Sequence, residues 1–569
     1  MIFRVLWMIV FGAMLQQGAP ETPRERTVGV GHSVGEKPQA FADSAQRYRV
    51  AGVLVNSVSG QPVSRGDVSL WPLAGPGAGD VDKQTMRTAE DGRFAFEVDS
   101  AGHYVLWADR KGYSQQAYKQ HGTFSTGIVV GENAKVEQLR FELTPDASLS
   151  GQVLDEMGEP ARNATVLLLR QGVMQGSKKT VRAGQTITDD RGQYRFGHVS
   201  SGTYFVAIST WPWYAFPPGA GRASREPNEN AVSDGENVNT DVVYPITYFP
   251  SAIDFGAATP MVLHPADAAT ANVSLAPAPA IQIALGRNGD SQEQVSVQSA
   301  TQIIADGIEQ SLPLRTSLRD GVTEVEGLPP GRVNLMWSVV KGDERKTRQQ
   351  TFRFGSSGNV ESSEDDATAA VKGAIQTDAR TRLGNPVILL RNRMTGVETR
   401  AFADKNGEFS FFQELAAGTY EVSLARTPGA SLGILASGAK VSGTTIEIVA
   451  GQNVELKIAA AMGSGLVTGV AMRDGKAVDG VMVALVPADM EHAGNLLRVD
   501  QSDSDGSFNL AQVVPGRYTV VAMEDAWKAE WRSAEFLRRF LARGKRVEVG
   551  DEGKIRVNVE VQSNLSVQE

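Results

Sequence analysis

The sequence predicts an all-β protein made of tandem small Greek-key β-sandwiches, with a short helix near the C-terminus. Three observations predict this fold class. A pattern of a turn glycine, alternating apolar residues, a second glycine and a tyrosine occurs several times in the chain. Glycine is abundant, at 59 of 569 residues, as many tight turns require. The pattern returns after roughly a hundred residues, which is too long for a solenoid repeat and suits tandem sandwiches.

Composition limits the classes of function. Hydrophobic residues make up 41% and charged residues 21% of the chain, which is ordinary for a globular protein of several domains. The net charge of -9 gives no electrostatic basis for binding nucleic acid. Cysteine is absent, which excludes disulfides, thiolate metal sites, cysteine nucleophiles and a lipidated N-terminal cysteine.

The N-terminus is predicted to be a signal peptide over 1–20, followed by a linker over 21–46. Arg4 supplies a positive charge, and residues 5–15 form an apolar run that is too short to span a bilayer comfortably. Pro20 would be an unfavourable first mature residue, so an uncleaved membrane anchor is the alternative. We expect an exported protein, in the periplasm, at the outer surface or outside the cell, without a later membrane span.

The clearest copy of the repeated pattern is DSDGSFNLAQVVPGRYTVVA, residues 503–522. Phe508 and Leu510 share one face of a strand at period two, and Tyr518 begins a similar alternation after the second glycine. Gly506 permits the positive φ of a tight turn, and the acidic residues beside it can accept hydrogen bonds from nearby backbone amides. The stretch therefore predicts a corner between two strands.

A calcium loop is the alternative reading of the same acidic turn. An EF-hand-like loop needs oxygen ligands at its first, third and fifth positions, glycine at the sixth and glutamate at the twelfth. Placing Gly506 sixth puts Gln501 first and Gln512 twelfth, and neither residue fits. Asp503 and Asp505 are therefore interpreted as turn residues.

The pattern starts again at Asp91, Asp190 and Lys405, and in weaker form at Asp320. Its two glycines are ten positions apart in most copies, which fixes the distance between one aromatic position and the next. Five aromatic residues of the pattern are expected to face a sandwich interior: Phe94, Tyr194, Phe409, Phe508 and Tyr518. Each clear copy is preceded by a strand that carries a glycine, at Gly52, Gly151, Gly373 and Gly469.

These units predict five modules with the following bounds. They are module one over 47–146, module two over 147–277 with a loop insertion over 211–241, a degenerate module three over 278–358, an acidic linker over 359–367, module four over 368–462 and module five over 463–569.

The order of strand glycine, G-x-P turn, D-x-x-G-x-F/Y and G-x-Y resembles bacterial carboxypeptidase-regulatory-like domains. Segments 112–122 and 242–250 look like the loop that follows the G-x-Y strand in that family. The resemblance covers about 50–569 apart from module three. It implies a transthyretin-like, carbohydrate-binding-like fold and modules that are not catalytic, because the zinc ligands of metallocarboxypeptidases lie in a separate enzyme domain. These motif residues form core and turns, so they say little about function.

Motifs for catalysis are weak. The six histidines are scattered without metal-ligand spacing, and His103 and His198 are expected to face solvent. Residues 31–35 match the G-x-S-x-G elbow of hydrolases around Ser33, but no buried strand precedes them and Pro38 prevents a following helix. We therefore predict no catalytic residue, no metal site and no cofactor.

Two segments could form a surface for a partner. In the loop insertion, Trp211, Trp213 and Tyr214 could stack on sugar rings, or they could cover the open end of module two. Further residues of this insertion that could contribute are Phe216, Asn228, Asn230 and Asn237. Residues 525–544 predict an amphipathic helix, with Asp525 as N-cap and Gly544 as terminator, that forms a flap on module five or binds a partner. Its apolar stripe comprises Trp527, Trp531, Ala534, Leu537 and Leu541.

These features predict a noncatalytic exported binding or scaffold protein of the cell envelope, with polysaccharide or an envelope protein as its partner. One alternative is a spacer or stalk without a ligand. Another is an accessory protein of an envelope enzyme or transport system. The oligomeric state is not predicted.

Overall fold

The structure, a computed structural model, describes the following residues: 47–73, 83–132, 134, 136–215, 242–287, 293–319, 321–355, 360–363, 368–377, 385–425, 430–490 and 496–563. The predicted signal peptide, the linker with Ser33, and residues 216–241 of the loop insertion lie outside the described residues. Contacts divide the chain into Met1–Gln46 and Arg47–Glu569, and all features below belong to the second unit.

Module one consists of two sheets, and module two consists of two sheets and a short strand, β14, that pairs with a strand of module three. The strands of module one are β1 Tyr48–Asn56, β2 Asp67–Pro72, β3 Gln84–Arg87, β4 Arg93–Val98, β5 Gly102–Asp109, β6 Gln116–Ala117, β7 Ile128–Val130 and β8 Leu139–Leu143. Those of module two are β9 Ala147–Leu154, β10 Thr165–Met174, β11 Ser177–Ile187, β12 Gln193–Val199, β13 Gly202–Ser209, β14 Val242–Val243, β15 Thr247–Tyr248, β16 Met261–Leu263, β17 Ala268–Thr270 and β18 Val273–Ser274, with a 3₁₀ turn at Phe255–Ala257.

Modules three and four are also β-structures. The strands of module three are β19 Ala278–Pro279, β20 Ile281–Arg287, β21 Glu293–Ala305, β22 Ile308–Leu312, β23 Arg315–Arg319, β24 Val322–Leu328, β25 Gly331–Lys341 and β26 Glu344–Phe354. Strand β27, Val360–Ser363, lies inside the predicted acidic linker and pairs with β26. The strands of module four are β28 Thr368–Ala369, β29 Val371–Thr377, β30 Val387–Asn392, β31 Glu398–Phe402, β32 Glu408–Ser410, β33 Leu415–Ala416, β34 Gly418–Ala425, β35 Ser431–Ser437, β36 Ala439–Ser442, β37 Thr445–Ile448 and β38 Val454–Ala461.

Module five contains the α-helix of the described residues. Its strands are β39 Gly465–Arg473, β40 Lys476–Ala477, β41 Met482–Pro487, β42 Arg498–Gln501, β43 Ser507–Val513, β44 Gly516–Met523, β45 Lys545–Val549, β46 Lys554–Arg556 and β47 Val559–Gln562. A 3₁₀ turn at Ala526–Lys528 and helix α1 at Ala534–Leu541 lie between β44 and β45. The predicted all-β fold class with one short helix near the C-terminus is confirmed.

The same pairing scheme occurs in modules one, two, four and five. The first strand pairs antiparallel with the strand after the acidic turn and parallel with a closing strand, as β1 does with β4 and β8. The second strand pairs antiparallel with the G-x-Y strand, as β2 does with β5. Module three keeps both antiparallel pairings, β20 with β24 and β21 with β25. Among its described residues, no strand runs parallel to β20 as a closing strand does elsewhere.

The aromatic positions of the pattern lie in the cores. All five predicted interior residues are buried: Phe94, Tyr194, Phe409, Phe508 and Tyr518. The tyrosine after the second glycine also satisfies its hydroxyl locally, because Tyr518 donates to the carbonyl oxygen of Val514 at 2.7 Å. The same bond to the residue four positions earlier is made by Tyr104, Tyr204 and Tyr420. A buried ring with a satisfied polar end explains why this position is tyrosine.

Each strand glycine is required because a backbone carbonyl oxygen and an aromatic ring both approach its Cα too closely for a side chain to fit. A Cβ on Gly469 would lie 1.7 Å from the carbonyl oxygen of Val557 and 2.9 Å from Cζ of Phe508. Gly469 pairs with Phe508 across the antiparallel ladder, so the aromatic ring lies over the glycine. Corresponding clashes occur at Gly52, Gly151 and Gly373. In each of these modules the strand glycine therefore leaves the space in which the repeated aromatic ring packs.

The acidic turn has the predicted form. Gly506 has a φ of 79°, in the left-handed region that favours glycine. Asp505 accepts a hydrogen bond from the backbone N–H of Ser507 at 2.9 Å. The interpretation of this stretch as a strand corner is confirmed.

The helix predicted over 525–544 is shorter than expected. Asp525, with a φ of 53° and no side-chain capping bond, precedes the 3₁₀ turn instead of α1, and the N-cap of α1 is Ser533. The backbone explains the difference, because the N–H of Arg532 donates to the carbonyl oxygen of Gly176 in module two instead of entering a helix. The buried face also differs from the predicted stripe, since it includes Phe536 and Phe540.

Candidate functional site

The described part of the loop insertion is a short turn that follows β13. The N–H of Ala215 donates to the carbonyl oxygen of Pro212 at 2.9 Å, and both residues are buried. Trp213 lies between them and is 75% exposed. The turn therefore presents one tryptophan to solvent from an anchored backbone.

The two neighbouring aromatic residues are held by protein contacts. Trp211 lies beside module three, where a Cβ on Gly327 would be 3.7 Å from its ring. Tyr214 packs edge-to-face with Trp213, with ring centroids 5.6 Å apart. The structure thus brings the three predicted ligand residues together on one turn, but with different surroundings. The other candidates, Phe216, Asn228, Asn230 and Asn237, lie outside the described residues.

A carboxylate anchors this aromatic segment. Glu156 accepts hydrogen bonds from the hydroxyl of Tyr214, at 2.6 Å, and from the hydroxyl of Tyr244. Burial opposes the ionisation of Glu156, but the two hydroxyl groups outweigh it and lower its pKa. Desolvation and the bond to Glu156 raise the pKa of Tyr214 to about 12. At neutral pH the ionised carboxylate of Glu156 therefore lies against the hydroxyl of Tyr214.

A second candidate region joins modules one and five, which are far apart in sequence. Asp503 Oδ1 accepts a hydrogen bond from the N–H of Gly127 at 2.8 Å, and Oδ2 accepts one from Nδ1 of His103 at 2.9 Å. The N–H of Ser504 donates to the carbonyl oxygen of Gly127 at 2.9 Å. The acidic turn of module five is therefore a docking element as well as a strand corner.

Buried amide and hydroxyl groups complete this interface. Gln501 is 1% exposed, and its Nε2 donates to the carbonyl oxygen of Lys119 and to Oγ1 of Thr126. Its Oε1 lies 3.1 Å from Nδ1 of His121, which must donate because an amide oxygen only accepts. The ring of His121 stacks on Trp527, with centroids 5.1 Å apart. The polar groups that are buried where the two modules meet are thus paired across the interface.

The pKa values of the two histidines at this interface are shifted in opposite directions. The hydrogen bond to Asp503 raises the pKa of His103, whereas burial lowers the pKa of His121. His103, predicted to face solvent, is half-exposed but bound to Asp503. His198 is more exposed, as predicted, and contacts Asp146 at 2.8 Å.

Equivalent aspartates show what is special about Asp503. Asp189 and Asp404 occupy the same position, three residues before the turn glycine, and each caps two backbone amides of its own turn. In module five the N–H of Ser507 donates to Asp505 instead. The carboxylate of Asp503 accepts the N–H of Gly127 in module one. The interface between modules one and five was not predicted from the sequence. A second acid at 505 was the available signal, although a similar acid, Asp91, occurs where no such docking exists.

The pairing of Asp503 with His103 can be tested by titration. Because the pKa of His103 is raised in the folded chain, protonation of His103 stabilises the interface below its ordinary pKa, and this stabilisation is lost as pH rises through the raised value. We expect Asp503→Asn to lower the pKa of His103, as measured by NMR titration with the signal assigned from a His103→Gln variant. Asp404→Asn, the matched change in module four, should leave it unaltered. An unchanged His103 titration in Asp503→Asn would contradict the pairing.

Within the ranges that the structure describes, no group of three or more histidine or acidic side chains is placed to hold a metal ion. No described helix has the length and apolar character needed to cross a membrane.

Comparisons with known proteins concern mainly the fold. No curated protein matches the sequence. Solved structures with similarity include BcpA, the major pilin subunit of Bacillus cereus, at 8% identity over 90% of this chain and 99% of that chain, with a TM-score of 0.13. A streptococcal ancillary pilin has 16% identity over 45% of this chain and 82% of its own, with a TM-score of 0.19. The shaft pilin SpaA from Lactobacillus rhamnosus GG has 10% identity over 41% and 98%, with a TM-score of 0.18.

At these TM-scores the similarities carry no argument about function. Residues 464–538, within module five, match the family model of the BOS complex subunit NOMO1-like second beta sandwich domain. The chain is thus a multi-domain β-sandwich protein in which module five is similar to this domain.

Proposed function

We propose that the chain is a noncatalytic exported binding and scaffold protein of the cell envelope, with modules of the carboxypeptidase-regulatory-like kind. The observation that carries the binding role is the exposed Trp213 on its anchored turn. An exposed aromatic ring held in one orientation can stack on a sugar ring with little loss of conformational entropy. Pro212 and the Tyr214–Glu156 bond restrict the turn before any ligand arrives.

A neutral polysaccharide is the proposed ligand class. The negative charge of Glu156, which accepts the hydrogen bond from the Tyr214 hydroxyl, would repel an anionic group placed beside Tyr214. Sugar hydroxyls, in contrast, could share the hydrogen-bonding capacity of the Tyr214 hydroxyl and the carboxylate oxygens.

Contacts between distant modules support a scaffold more than a stalk. Module five contacts module one through Asp503 and Gln501, and it contacts module two through Arg532. An extended spacer would need only contacts between neighbours in sequence. The modules therefore support each other in a fixed arrangement, on which the Trp213 turn is one exposed feature.

The binding role is tested with Trp213→Ala in the full chain. We expect the wild type to bind neutral glycans on an array of soluble polysaccharides, and the variant to bind them at least roughly tenfold more weakly, because an anchoring tryptophan commonly dominates an interface. Phe412→Ala removes another exposed aromatic ring, in module four, and should leave binding unchanged. Equal binding by wild type and Trp213→Ala, or no binding by either, would leave the spacer as the better description.

A further inference from the structure

We propose that a cavity where modules two, three, four and five meet binds an acidic sugar through its carboxylate. The cavity has a volume of about 460 Å³, which lies in the range of small-ligand pockets. It is separate from the Trp213 turn, so this proposal does not rest on the proposed function.

Residues from four modules form the walls. Module two contributes Ser177, Lys178 and Lys179 from the start of β11, module three contributes Asp306 from the turn between β21 and β22, and module four contributes Arg391. Module five closes the cavity with residues of β41 and of the segment 525–544. A site built from four modules exists only in the assembled chain, which suits a protein whose modules are held in a fixed arrangement.

Direct contacts hold these walls in place without a ligand. Asp306 Oδ2 accepts a hydrogen bond from the N–H of Thr180 at 2.8 Å. Nε of Arg532 donates to the carbonyl oxygen of Gln175 at 2.8 Å. A Cβ on Gly307 would lie 2.0 Å from the carbonyl oxygen of Gly396, so modules three and four touch through their backbones. A cavity with such fixed walls loses little entropy when it binds a ligand.

The charges of the lining favour an anion. Four cationic side chains line the cavity, namely Lys178, Lys179, Arg391 and Arg532, against the two carboxylates of Asp306 and Glu421. The carboxylate of Asp306 already accepts the N–H of Thr180, and the electrostatic influence of Glu421 acts on Arg532. Lys178 and Lys179 both line the cavity from the edge strand β11, although their side chains leave opposite faces of that strand, and we assign them to the ligand's carboxylate. This local excess of positive charge contrasts with the net charge of -9 of the whole chain.

An apolar wall distinguishes a sugar from a simple anion. Leu537 from helix α1, Met490 and Leu497 line the side that module five contributes. A uronate ring has a carboxylate at one edge and a C–H face that can pack on such side chains. A small hydrophilic anion such as citrate would leave this wall without a partner.

Calorimetric titration of the full chain tests the proposal, with digalacturonate as the acidic probe, cellobiose as the neutral probe and citrate as the anion without a ring. We expect digalacturonate to bind, cellobiose not to bind, and citrate to bind more weakly. The double variant Lys178→Gln/Lys179→Gln should bind digalacturonate at least roughly tenfold more weakly, because two charge-assisted contacts are lost. Lys372→Gln/Lys457→Gln, on neighbouring strands of module four, removes two exposed lysines away from the cavity and should bind as the wild type does.

Several results would overturn the proposal. They are an absence of digalacturonate binding, equal binding of cellobiose, citrate binding as tight as that of digalacturonate, and unchanged affinity in Lys178→Gln/Lys179→Gln. Thermal unfolding of that variant should match the wild type, because neither lysine is buried. Trp213→Ala should not alter digalacturonate binding, so failure here and failure of the proposed function can be told apart.

Discussion

Phe508→Ala is expected to destabilise module five by about 3 to 5 kcal/mol. The Phe508 ring is 2% exposed and packs in the core with residues such as Val467, Leu510 and Tyr518. Its edge lies over Gly469, which has no side chain that could move into the vacated volume. The substitution therefore removes buried apolar surface and leaves a cavity that the neighbours can fill only in part.

Hydrogen exchange is the suitable measurement, because a five-module chain need not unfold in one step. The free energies of exchange for amides in β39 and β43 should fall by the stated amount in Phe508→Ala. Phe402→Ala in module four removes a ring that is 67% exposed and should change local stability by less than about 0.5 kcal/mol. Unaltered protection in module five would show that the ring is not part of its core.

Gly469→Ala is expected to destabilise module five by at least about 4 kcal/mol, because the new side chain would overlap a single backbone atom. The added methyl group would lie 1.7 Å from the carbonyl oxygen of Val557, a distance at which no two such atoms can remain. Rotation of a side chain cannot relieve this overlap, since the opposing atom belongs to the backbone. Strand β39 would have to separate from β46 and β47, with which it pairs in parallel.

Gly550→Ala provides the matched control within the same module. A Cβ at Gly550 would meet no heavy atom within 4 Å, and its φ is not in the left-handed region. We expect Gly550→Ala to retain the protease resistance of the wild type, while Gly469→Ala exposes module five to rapid cleavage. Equal resistance of both variants would mean that the close approach of β39 to Val557 is not maintained in solution.

The sequence predicts those features of the fold that depend on local pattern. The acidic turn, the positive φ of Gly506 and the burial of Phe508 follow from period-two alternation and turn chemistry. The reason for Gly469 does not, because it requires the parallel pairing with a strand about ninety residues later, which no local pattern encodes. The sequence predicts that module three is degenerate, but not that, in its described part, the closing strand is what it lacks.

The candidate sites were less predictable than the fold, because they depend on contacts between modules. The amphipathic pattern of 525–544 indicates a helix, but the backbone at Arg532 binds module two instead. Asp503 reads as a turn residue like Asp404, and only its neighbour Asp505 distinguishes the two turns. Likewise, the aromatic segment was visible as a cluster, whereas the bond from Tyr214 to Glu156 joins residues 58 positions apart.

The contact between modules one and five has a consequence for how this chain can evolve. In an open array each repeat touches only its neighbours, so a unit can be duplicated or deleted without disturbing the remainder. Here Asp503 must reach Gly127 and His103 across three intervening modules. Gain or loss of one module would displace that turn by the width of a whole domain. The number of repeats between modules one and five is therefore under structural constraint. Recombination among the similar units, which is tolerated in an open array, would break the contact between these two modules.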